Sequence, residues 1–385
     1  MKLFEDLSLA PYMTFQPNKT KPIHRWFFYK EGYAPEIVEY AVRKEQLCCG
    51  DNLLLDPFCG VGTSLLAAKK MAMRGFGIDV SELAVFVSKT KCANYEKSDI
   101  AEIIDFLNAK HGQKEPNIKW DFELFDPRAA FPKRNFNEIV SLREEIENAH
   151  CGEKARNLLL LALLSILPQT SIIVKDGGVL KIDKRKRAMP VRDAFRRKLK
   201  QMIEDITNHQ FFGPEPVVNL GDARQLDFAD ESFDIVVTSP PYLNNIDYSK
   251  VYGLELSLLS LCAETSKETR KRLVRSFVKG ISVNDYVPKE VEDLAGRLPI
   301  VGTYFADIER ALCEINRVLK TGRSAYIVVS NSVIFNEHVA VDEILSRIGE
   351  RLGMECDIII GAYRIADVKP QRIKTRESIV VCRKI

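Results

Sequence analysis

The stretch NLLLDPFCGVGT, residues 52–63, joins a short apolar run to a glycine-rich turn. Residues 64–73 then have helical character, so the order along the chain is strand, turn and helix. Gly60 and Gly62 allow the backbone to pass close to a ligand at the carboxyl end of the strand. The G-x-G-x-x-G pattern of dinucleotide-binding proteins is incomplete, because Leu65 takes the third glycine position and no Walker lysine follows. The stretch therefore predicts a cofactor-binding turn, with a purely structural turn as the alternative.

A carboxylate follows each of three predicted strands. Asp56 ends the first strand, Asp79 ends the strand RGFGID at 74–79, and Asp222 follows a strand at 216–220. Asp79 lies close to the spacing at which dinucleotide-binding folds place a ribose-binding carboxylate. One such Asp is usually a helix cap or a turn residue. The ordered row of three acceptors suits an ammonium group, a ribose diol and an exocyclic amine, and S-adenosylmethionine offers all three.

A fourth predicted strand, FDIVVT at 233–238, ends in the sequence SPPY at 239–242. The two prolines lack N–H groups, so their carbonyls and the Ser239 hydroxyl can form a set of acceptors for an amino group. Tyr242 can stack on a planar ring, as enzymes that act on an extruded base require. The alternative is a proline-rich loop that only ends the strand.

The wider pattern predicts a doubly wound α/β sheet of about seven strands with interleaved helices and two insertions. Residues 1–98 contain an N-terminal element and the first part of the sheet domain. Residues 99–213 form a largely helical insertion, and 214–385 complete the domain with a smaller insertion at 243–300.

The charge is unevenly distributed. The chain has 56 basic and 53 acidic residues, a net charge of +3. Residues 181–200 contain ten basic and two acidic residues, and 267–279 and 364–376 are also strongly basic. Such asymmetry predicts a field that attracts phosphate backbones. Solvated helix or loop faces are the alternative.

The composition is that of an ordinary globular protein and excludes disordered, collagen-like, membrane-embedded and small disulfide-stapled classes. The nine cysteines show no metal-ligand spacing and lie mostly in apolar contexts, so we expect reduced, buried thiols, no metal and a cytoplasmic location. The N-terminus lacks the unbroken apolar core of a signal peptide, and the longest apolar run, 158–167, is about half a membrane span.

These motifs resemble those of a known family. DPFCGVGT at 56–63, GID at 77–79, GDAR at 221–224 and TSPPY at 238–242 are similar to the motifs of S-adenosylmethionine-dependent amino-methyltransferases that act on nucleic-acid bases. SPPY in place of DPPY resembles the cytosine-N4 branch of the DNA enzymes. LNNIDYSKVYGLEL at 243–256 and HRWFFYKEGYAPEIV at 24–38 also resemble that branch, whereas the insertion at 99–213 does not.

The resemblance implies a seven-stranded, Rossmann-like methyltransferase sheet whose last strand is antiparallel. It implies that Asp56 to Thr63 hold the methionine part of the cofactor, that Asp79 binds the ribose and that Asp222 binds the adenine amine. The cofactor-binding residues it implies are Tyr29, Lys30, Asp56, Pro57, Phe58, Cys59, Gly60, Gly62, Thr63, Asp79, Val80, Asp222 and Ala223. Ser239, Pro240, Pro241 and Tyr242 are the implied catalytic residues, which hold the target amine.

The implied reaction is transfer of a methyl group to the N4 amine of a flipped cytosine in double-stranded DNA, as the modification enzyme of a restriction system with a cognate endonuclease. Cys59 lies in the cofactor turn and is not expected to act as a nucleophile. The residues expected to contact nucleic acid are Lys184, Arg185, Lys186, Arg187, Arg196, Arg197, Lys271 and Arg272.

Three alternatives remain open from the sequence. The cofactor turn precedes SPPY, an order that differs from many cytosine-N4 enzymes and also occurs in RNA guanine-N2 methyltransferases. A DNA adenine-N6 methyltransferase is a second alternative. A nucleic-acid-binding protein with an inactive methyltransferase fold is the third, and the intact glycines, Asp79 and SPPY argue against it. The sequence leaves the oligomeric state open.

Overall fold

The computed structural model describes residues 1–30, 32–47, 50–109, 118–176, 178–211, 213–244, 246–262, 264–276, 286–368 and 371–385. The strands are β1 (Leu3–Glu5), β2 (Leu53–Asp56), β3 (Arg74–Asp79), β4 (Ile173–Asp176), β5 (Val179–Ile182), β6 (Val217–Leu220), β7 (Phe233–Thr238), β8 (Leu319–Ser330), β9 (Ser332–Ile334), β10 (Glu337–Val339), β11 (Met354–Val368) and β12 (Gln371–Lys384). The helices are α1 (Pro35–Lys44), α2 (Thr63–Lys70), α3 (Glu82–Cys92), α4 (Lys97–Asn108), α5 (Lys133–Glu147), α6 (Glu153–Thr170), α7 (Val191–His209), α8 (Tyr248–Val251), α9 (Gly253–Ser260), α10 (Glu264–Arg272), α11 (Glu292–Arg297), α12 (Pro299–Val318) and α13 (Val341–Arg351).

The main sheet has the strand order β1-β11-β12-β8-β7-β2-β3-β6. The run from β8 to β6 is parallel throughout, and β12 is antiparallel to both of its neighbours. The chain leaves β2 toward β6 on one side and later returns to β7 and β8 on the other. The strand order therefore reverses between β2 and β7, which is where open α/β sheets form a ligand-binding crevice.

One sequence-based prediction about the sheet needs correction. The sheet has eight strands among the described residues rather than seven, because Leu3–Glu5 pairs with Ile358–Ile360 at the edge. Strand β8 contains a bulge at Gly322, which has φ +77°. Between the pairs Phe233–Leu319 and Ile235–Ser324, one residue of β7 lies opposite four of β8. A bulge lets the strand continue past the glycine.

Helices cover both faces of the sheet. Alternating residues of β7 point to opposite sides, so Ile235 and Val237 pack against α1 while Val236 packs against α12 and α13. Segment 97–209 contributes four helices and the hairpin β4–β5. The leucines of α6 share one core with Leu65 of α2 and Leu83 of α3, so this segment packs directly on the helices that follow the cofactor turn.

The buried carboxylate of Asp205 on α7 fastens the segment before the candidate site. Its oxygens accept hydrogen bonds from the Ile23 amide at 2.9 Å and the Trp26 indole N–H at 2.9 Å, and it forms an ion pair with Arg25. Asp205 is fully buried. The segment that leads to Tyr29 is therefore held against α7.

Cys356 and Cys382 form a disulfide between directly opposed residues of β11 and β12. The expectation that the thiols are all reduced is thus wrong for this pair, because the strand register brings the two Cα atoms to 4.2 Å. Cys59 and Cys92 are buried thiols. The adjacent Cys48 and Cys49, residues 110–117 of the predicted helical insertion and the end of the basic stretch at 277–279 lie outside the described residues.

Among the described residues, none of the helices is long and apolar enough to span a bilayer. The same residues contain no group of three or more His, Cys, Asp or Glu side chains that could hold a metal ion.

Candidate active site

A cavity lies at the carboxyl ends of β2, β3 and β7, where the strand order reverses. Most of the residues implied by the resemblance line it. These are Tyr29, Asp56, Pro57, Phe58, Cys59, Gly60, Thr63, Asp79, Val80, Asp222, Ala223, Ser239, Pro241 and Tyr242. The cofactor motifs and the SPPY loop therefore open into one space, although up to 213 residues separate them along the chain.

Three implied residues do not line the cavity. Lys30 is exposed, and its backbone amide donates to the Tyr252 hydroxyl at 3.0 Å. Gly62 lies just before α2 with φ +79°, and a Cβ there would meet the Ser88 hydroxyl oxygen at 3.0 Å. Pro240 is buried behind the lining residues of its loop. Gly62 is therefore required by backbone conformation and crowding.

The glycine turn is held from two sides. The Gly60 amide donates to Asp79 Oδ2 at 2.9 Å, and the Ser88 hydroxyl donates to the Gly60 carbonyl at 2.7 Å. Burial raises the pKa of the Cys59 thiol well above its usual value, so it stays protonated at neutral pH. A protonated buried thiol agrees with the expectation that Cys59 is not a nucleophile.

Asp56 connects the cofactor turn to the strand that carries SPPY. Its Oδ1 accepts from the Thr238 hydroxyl at 2.6 Å and from the Phe58 amide at 3.2 Å, and its Oδ2 accepts from the Ser64 hydroxyl. The Ser64 oxygen is in turn 2.7 Å from the Tyr33 hydroxyl oxygen. Burial raises the pKa of Asp56 to about 6, and its hydrogen bonds oppose that shift. Since both oxygens already have donors, Asp56 organises the site from within.

Asp79 presents a carboxylate at the end of β3. Oδ1 accepts from the Ser81 amide at 2.8 Å and Oδ2 accepts from the Gly60 amide at 2.9 Å. Burial raises the pKa of this carboxyl to about 6, so it is ionised at neutral pH. Each oxygen keeps a lone pair, and the group can accept hydrogen bonds from a diol.

Asp222 is tied into an ion-pair network that spans the edge of the cavity. Arg224 Nη2 lies 2.6 Å from Asp222 Oδ2, and Arg224 Nη1 lies 3.2 Å from the buried Asp307. Asp307 also binds Arg275 at 3.0 Å, and Arg224 donates to the Arg272 carbonyl at 2.8 Å. The network holds the end of α10 and the residues after it over Asp222. Arg272, which we expected to contact nucleic acid, therefore lines the cavity.

The SPPY loop is anchored to the neighbouring strand and helix. The Ser239 hydroxyl donates to the Val328 carbonyl at 3.0 Å, which leaves the lone pairs of its oxygen available to accept. The Tyr304 hydroxyl donates to the Pro241 carbonyl at 3.0 Å. Burial raises the pKa of Tyr242, so its hydroxyl stays protonated. Nothing in the sequence of α12 indicated the role of Tyr304.

An aromatic wall closes another side of the cavity. The rings of Tyr29 and Tyr252 stack with centroids 4.5 Å apart and planes at 20°. Lys175 Nζ lies 4.0 Å from the Tyr252 ring centroid and 2.9 Å from Glu255. The hairpin β4–β5 therefore touches the back of this wall. Tyr252 and Tyr248 both line the cavity and were missed, although they lie in the stretch 243–256 that carries the resemblance.

All but one of the basic residues expected to contact nucleic acid have exposed side chains. These are Lys184, Arg185, Arg187, Arg196, Arg197, Lys271 and Arg272. Lys186 is half-buried and donates to the carbonyls of Pro168 and Ile173. Its ammonium links the end of α6 to β4, so two of its three N–H donors bond to the protein's own carbonyls.

No family model matches the chain. The chain is 27% identical over 413 aligned residues to the type II methyltransferase M.AvaI of Nostoc sp., which covers 94% of this chain and 84% of the relative. It is 26% identical over 419 residues to the type II methyltransferase M.BsoBI of Geobacillus stearothermophilus, with 89% and 81% covered. A tRNA (guanine(10)-N2)-dimethyltransferase of Methanothermobacter thermautotrophicus is 31% identical over 158 residues, which cover 40% of this chain and 46% of that one. The chain is thus similar over most of its length to type II methyltransferases, and this supports methyl transfer as its activity and S-adenosylmethionine as its cofactor.

Proposed function

We propose that this protein is a DNA methyltransferase that methylates the exocyclic N4 amine of cytosine in duplex DNA. The observation that carries the proposal is that the SPPY loop and the three strand-end carboxylates line the same cavity. The target amine and the methyl donor would then meet in one space, as direct transfer requires. The similarity to type II methyltransferases supports DNA as the substrate and a restriction-modification system as the setting. A cognate restriction endonuclease and a cytoplasmic location remain part of the proposal.

The lining of the cavity fits S-adenosylmethionine. Asp79 offers a carboxylate to the ribose hydroxyls, and Asp222 offers acceptors to the adenine amine on the far side. Asp79 lies between the glycine turn and Asp222, because β3 separates β2 from β6 in the sheet. Gly60 in that turn has φ +49°, a backbone conformation that favours glycine. When bound, this cofactor supplies the electrophilic methyl group that the amine nitrogen takes up.

The residues of the SPPY loop would prepare the amine. The lone pair of a cytosine N4 amine is delocalised into the ring, which makes the nitrogen a poor nucleophile. Acceptance of an amine hydrogen by Ser239 Oγ, which lines the cavity, favours a pyramidal nitrogen with an available lone pair. Pro240, the second acceptor that the resemblance implies, lies behind the lining and has no part in this step. The Val328 carbonyl fixes the Ser239 hydroxyl in place, and Tyr242 can stack on the extruded base. The rate enhancement comes from positioning and electrostatics, with no covalent intermediate on the protein.

The methylated nucleoside tests the proposal directly. The protein is incubated with methyl-labelled S-adenosylmethionine and either duplex DNA or total RNA, and the digested nucleosides are separated. We expect label in N4-methylcytosine from DNA. Label in N6-methyladenine would mean that the protein is a DNA amino-methyltransferase whose target base is adenine and not cytosine. Label in RNA alone would contradict the proposal. The absence of transfer to either, with cofactor binding retained, would favour an inactive nucleic-acid-binding protein.

An RNA guanine-N2 methyltransferase is the second candidate. The partial similarity to a tRNA dimethyltransferase favours it, because guanine N2 is also an exocyclic amine. That similarity covers less than half of either chain, while the similarity to type II methyltransferases covers most of both. Label recovered as N2-methylguanosine would establish the second candidate.

A further inference from the structure

Strands β11 and β12 extend past the rest of the main sheet. The pairing of β12 with β8 ends at Glu377, and β1 pairs with β11 only at 358–360. The two strands continue to pair with each other from Tyr363 opposite Arg376 to Val368 opposite Gln371. We call residues 363–368 and 371–376 the ribbon. Six cross-strand pairs correspond to an extension of about 20 Å, and among the described residues no further strand pairs with it.

The ribbon begins next to the SPPY loop. The Ser239 hydroxyl donates to the carbonyl of Val328, and Ser330, two residues further along β8, is opposite Glu377 at the base of the ribbon. Neighbouring strands lie about 4.8 Å apart and residues rise about 3.3 Å, so this base is roughly 10 Å from Ser239. The ribbon continues in the direction in which the parallel strands end. It therefore projects from the same edge of the sheet as the candidate active site.

One face of the ribbon is apolar and basic apart from Asp367, which occupies the register position opposite Arg372. Side chains alternate along a strand, so Tyr363 and Ile365 share a face with Lys374 and Arg372 of the opposite strand. Ile365 is 67% exposed and Tyr363 is 39% exposed. Lys374 Nζ lies 3.6 Å from the Tyr363 ring centroid. Both Arg372 and Lys374 are exposed, in a segment that has five basic residues and one acidic residue.

Ion pairs fix the base of the ribbon, whereas the side chains of Ile365, Arg372 and Lys374 further out are exposed. Arg364 binds Glu377 at 2.8 Å, and Arg376 binds the buried Asp342 of α13 at 2.6 Å. An isolated two-stranded hairpin has marginal stability in water, and exposed apolar side chains bordered by charge mark an interaction site. The positive charge selects a polyanion among the possible partners.

We propose that the ribbon enters the major groove of duplex DNA beside the target base, where Arg372 and Lys374 contact phosphates or base edges. The inference rests on the proposed function, because it takes duplex DNA as the substrate. The major groove is about 12 Å wide and admits a two-stranded β-ribbon. The base of the ribbon is roughly 10 Å from Ser239, and Lys374 and Arg372 lie about 10 to 17 Å beyond that base, so the outer part of the ribbon would hold the duplex while the cytosine is extruded into the cavity.

The double variant Arg372→Ala/Lys374→Ala tests the ribbon in the full-length protein. Its matched control is Arg43→Ala/Lys44→Ala, which removes two exposed basic residues at the end of α1, where the chain turns toward the amino end of β2. Binding to a duplex that contains the mapped methylation site is measured by fluorescence anisotropy between 50 and 200 mM salt. We expect the ribbon variant to bind about 10- to 100-fold more weakly, with a log K against log salt slope smaller by about 2. The KM for DNA should rise while kcat and cofactor affinity stay unchanged.

The groove assignment has a separate readout. Guanine N7 faces the major groove, so dimethyl sulfate protection should appear beside the target site with the wild type and be lost with the ribbon variant. Equal DNA affinity, salt slope and protection in the two proteins would overturn the ribbon inference and leave the proposed function intact. A wild-type protein that neither binds nor methylates duplex DNA would instead overturn the proposed function. A ribbon variant with altered oligomeric state and normal DNA binding would assign the ribbon to a protein interface, against the inference.

Discussion

Asp79 is the carboxylate whose protonation can be followed most directly. Burial raises its pKa from 3.8 to about 6, and hydrogen bonds from the amides of Gly60 and Ser81 oppose that shift. Because a pKa of about 6 is still below 7, the carboxylate is ionised at neutral pH. Because the folded-state pKa is raised, protonation of Asp79 favours the folded state. This contribution to the free energy of unfolding is present below about pH 4 and is lost as the pH rises from about 4 to 6. Cofactor binding requires the ionised form instead, because an ionised carboxylate is the stronger acceptor for the hydrogen bonds that the ribose hydroxyls donate.

Cofactor affinity should therefore fall as the pH drops below about 6. We expect S-adenosylmethionine to bind about 10-fold more weakly at pH 5 than at pH 8, as measured by calorimetry. Asp79→Asn should bind about 10- to 100-fold more weakly at pH 8 and show a flatter profile. Asp56 also has a pKa of about 6, so Asp56→Asn is measured in parallel. An Asp79→Asn profile as steep as that of the wild type would remove Asp79 from the ribose-binding role.

Ser239 should affect the chemical step more than cofactor binding. Ser239→Ala removes one acceptor for the amine and leaves the three strand-end carboxylates in place, so we expect kcat to fall about 100-fold with little change in cofactor affinity. Ser165→Ala is the matched control, because the Ser165 hydroxyl also donates to a backbone carbonyl, at 2.8 Å, but lies on α6 away from the cavity. An unchanged kcat in Ser239→Ala would refute the assignment of the SPPY loop as the amine site.

At the level of elements, the turn between β2 and α2 depends on the backbone of Gly62. Gly62→Ala adds a Cβ 3.0 Å from the Ser88 hydroxyl at a φ of +79°, whereas Gly353→Ala adds one with no heavy atom within 4 Å at a similar φ of +85°. The positive φ should lower the free energy of unfolding of both variants by about 1 kcal/mol, and crowding should lower that of Gly62→Ala by about 1–3 kcal/mol more. Thermal unfolding of the two variants measures these losses. Equal losses would show that the turn relaxes around the added methyl group.

The join between α7 and the N-terminal element should be sensitive to Asp205. Asp205→Ala leaves Arg25 and two buried N–H donors without their acceptor, so we expect a loss of about 3–5 kcal/mol in the free energy of unfolding. Asp183→Ala breaks the exposed pair with Arg185 and should leave the free energy of unfolding almost unchanged. Denaturant unfolding compares the two variants. A small loss in Asp205→Ala would mean that packing of Trp26 alone holds the element.

For the whole molecule, the net charge of +3 hides a separation between an acidic body and basic surface stretches. The basic residues 184–187 directly follow β5, and the hairpin β4–β5 touches Tyr252 in the wall of the cavity. Under the proposed function, the exposed charges of this stretch are expected to contact the duplex. The half-buried ammonium of Lys186 bonds to the protein's own carbonyls instead.

The two kinds of lysine and arginine in this stretch should respond differently to substitution. The triple variant Lys184→Ala/Arg185→Ala/Arg187→Ala should keep the thermal stability and cofactor affinity and lower the DNA salt slope by up to about 3. Lys186→Ala should lower the melting temperature, because it removes the ammonium that bonds to the carbonyls of both Pro168 and Ile173. An unchanged salt slope in the triple variant would exclude this stretch from the DNA interface.

Much of the local structure was predictable from the sequence. The strand at 53–56, its glycine turn, the strand that ends at Asp79 and the strand that ends before SPPY lie where the pattern predicts them. The glycine turn depends on glycines that can adopt positive φ, and the strands depend on short apolar runs. Because each signal acts over a few residues, the sequence alone determined the elements and the edge of the sheet at which a ligand would bind.

The tertiary structure decided which groups meet at that edge. Thr238 donates to Asp56 across 182 residues of sequence, and Tyr29 stacks on Tyr252 across more than 200. The spacing of residues along a chain does not specify such partners, because they depend on strand order and on how helices pack across the sheet. The same holds for charge. Lysines and arginines can be counted in the sequence, but only burial distinguishes Lys186, which bonds to the protein's own carbonyls, from Lys374, which stays exposed on the ribbon.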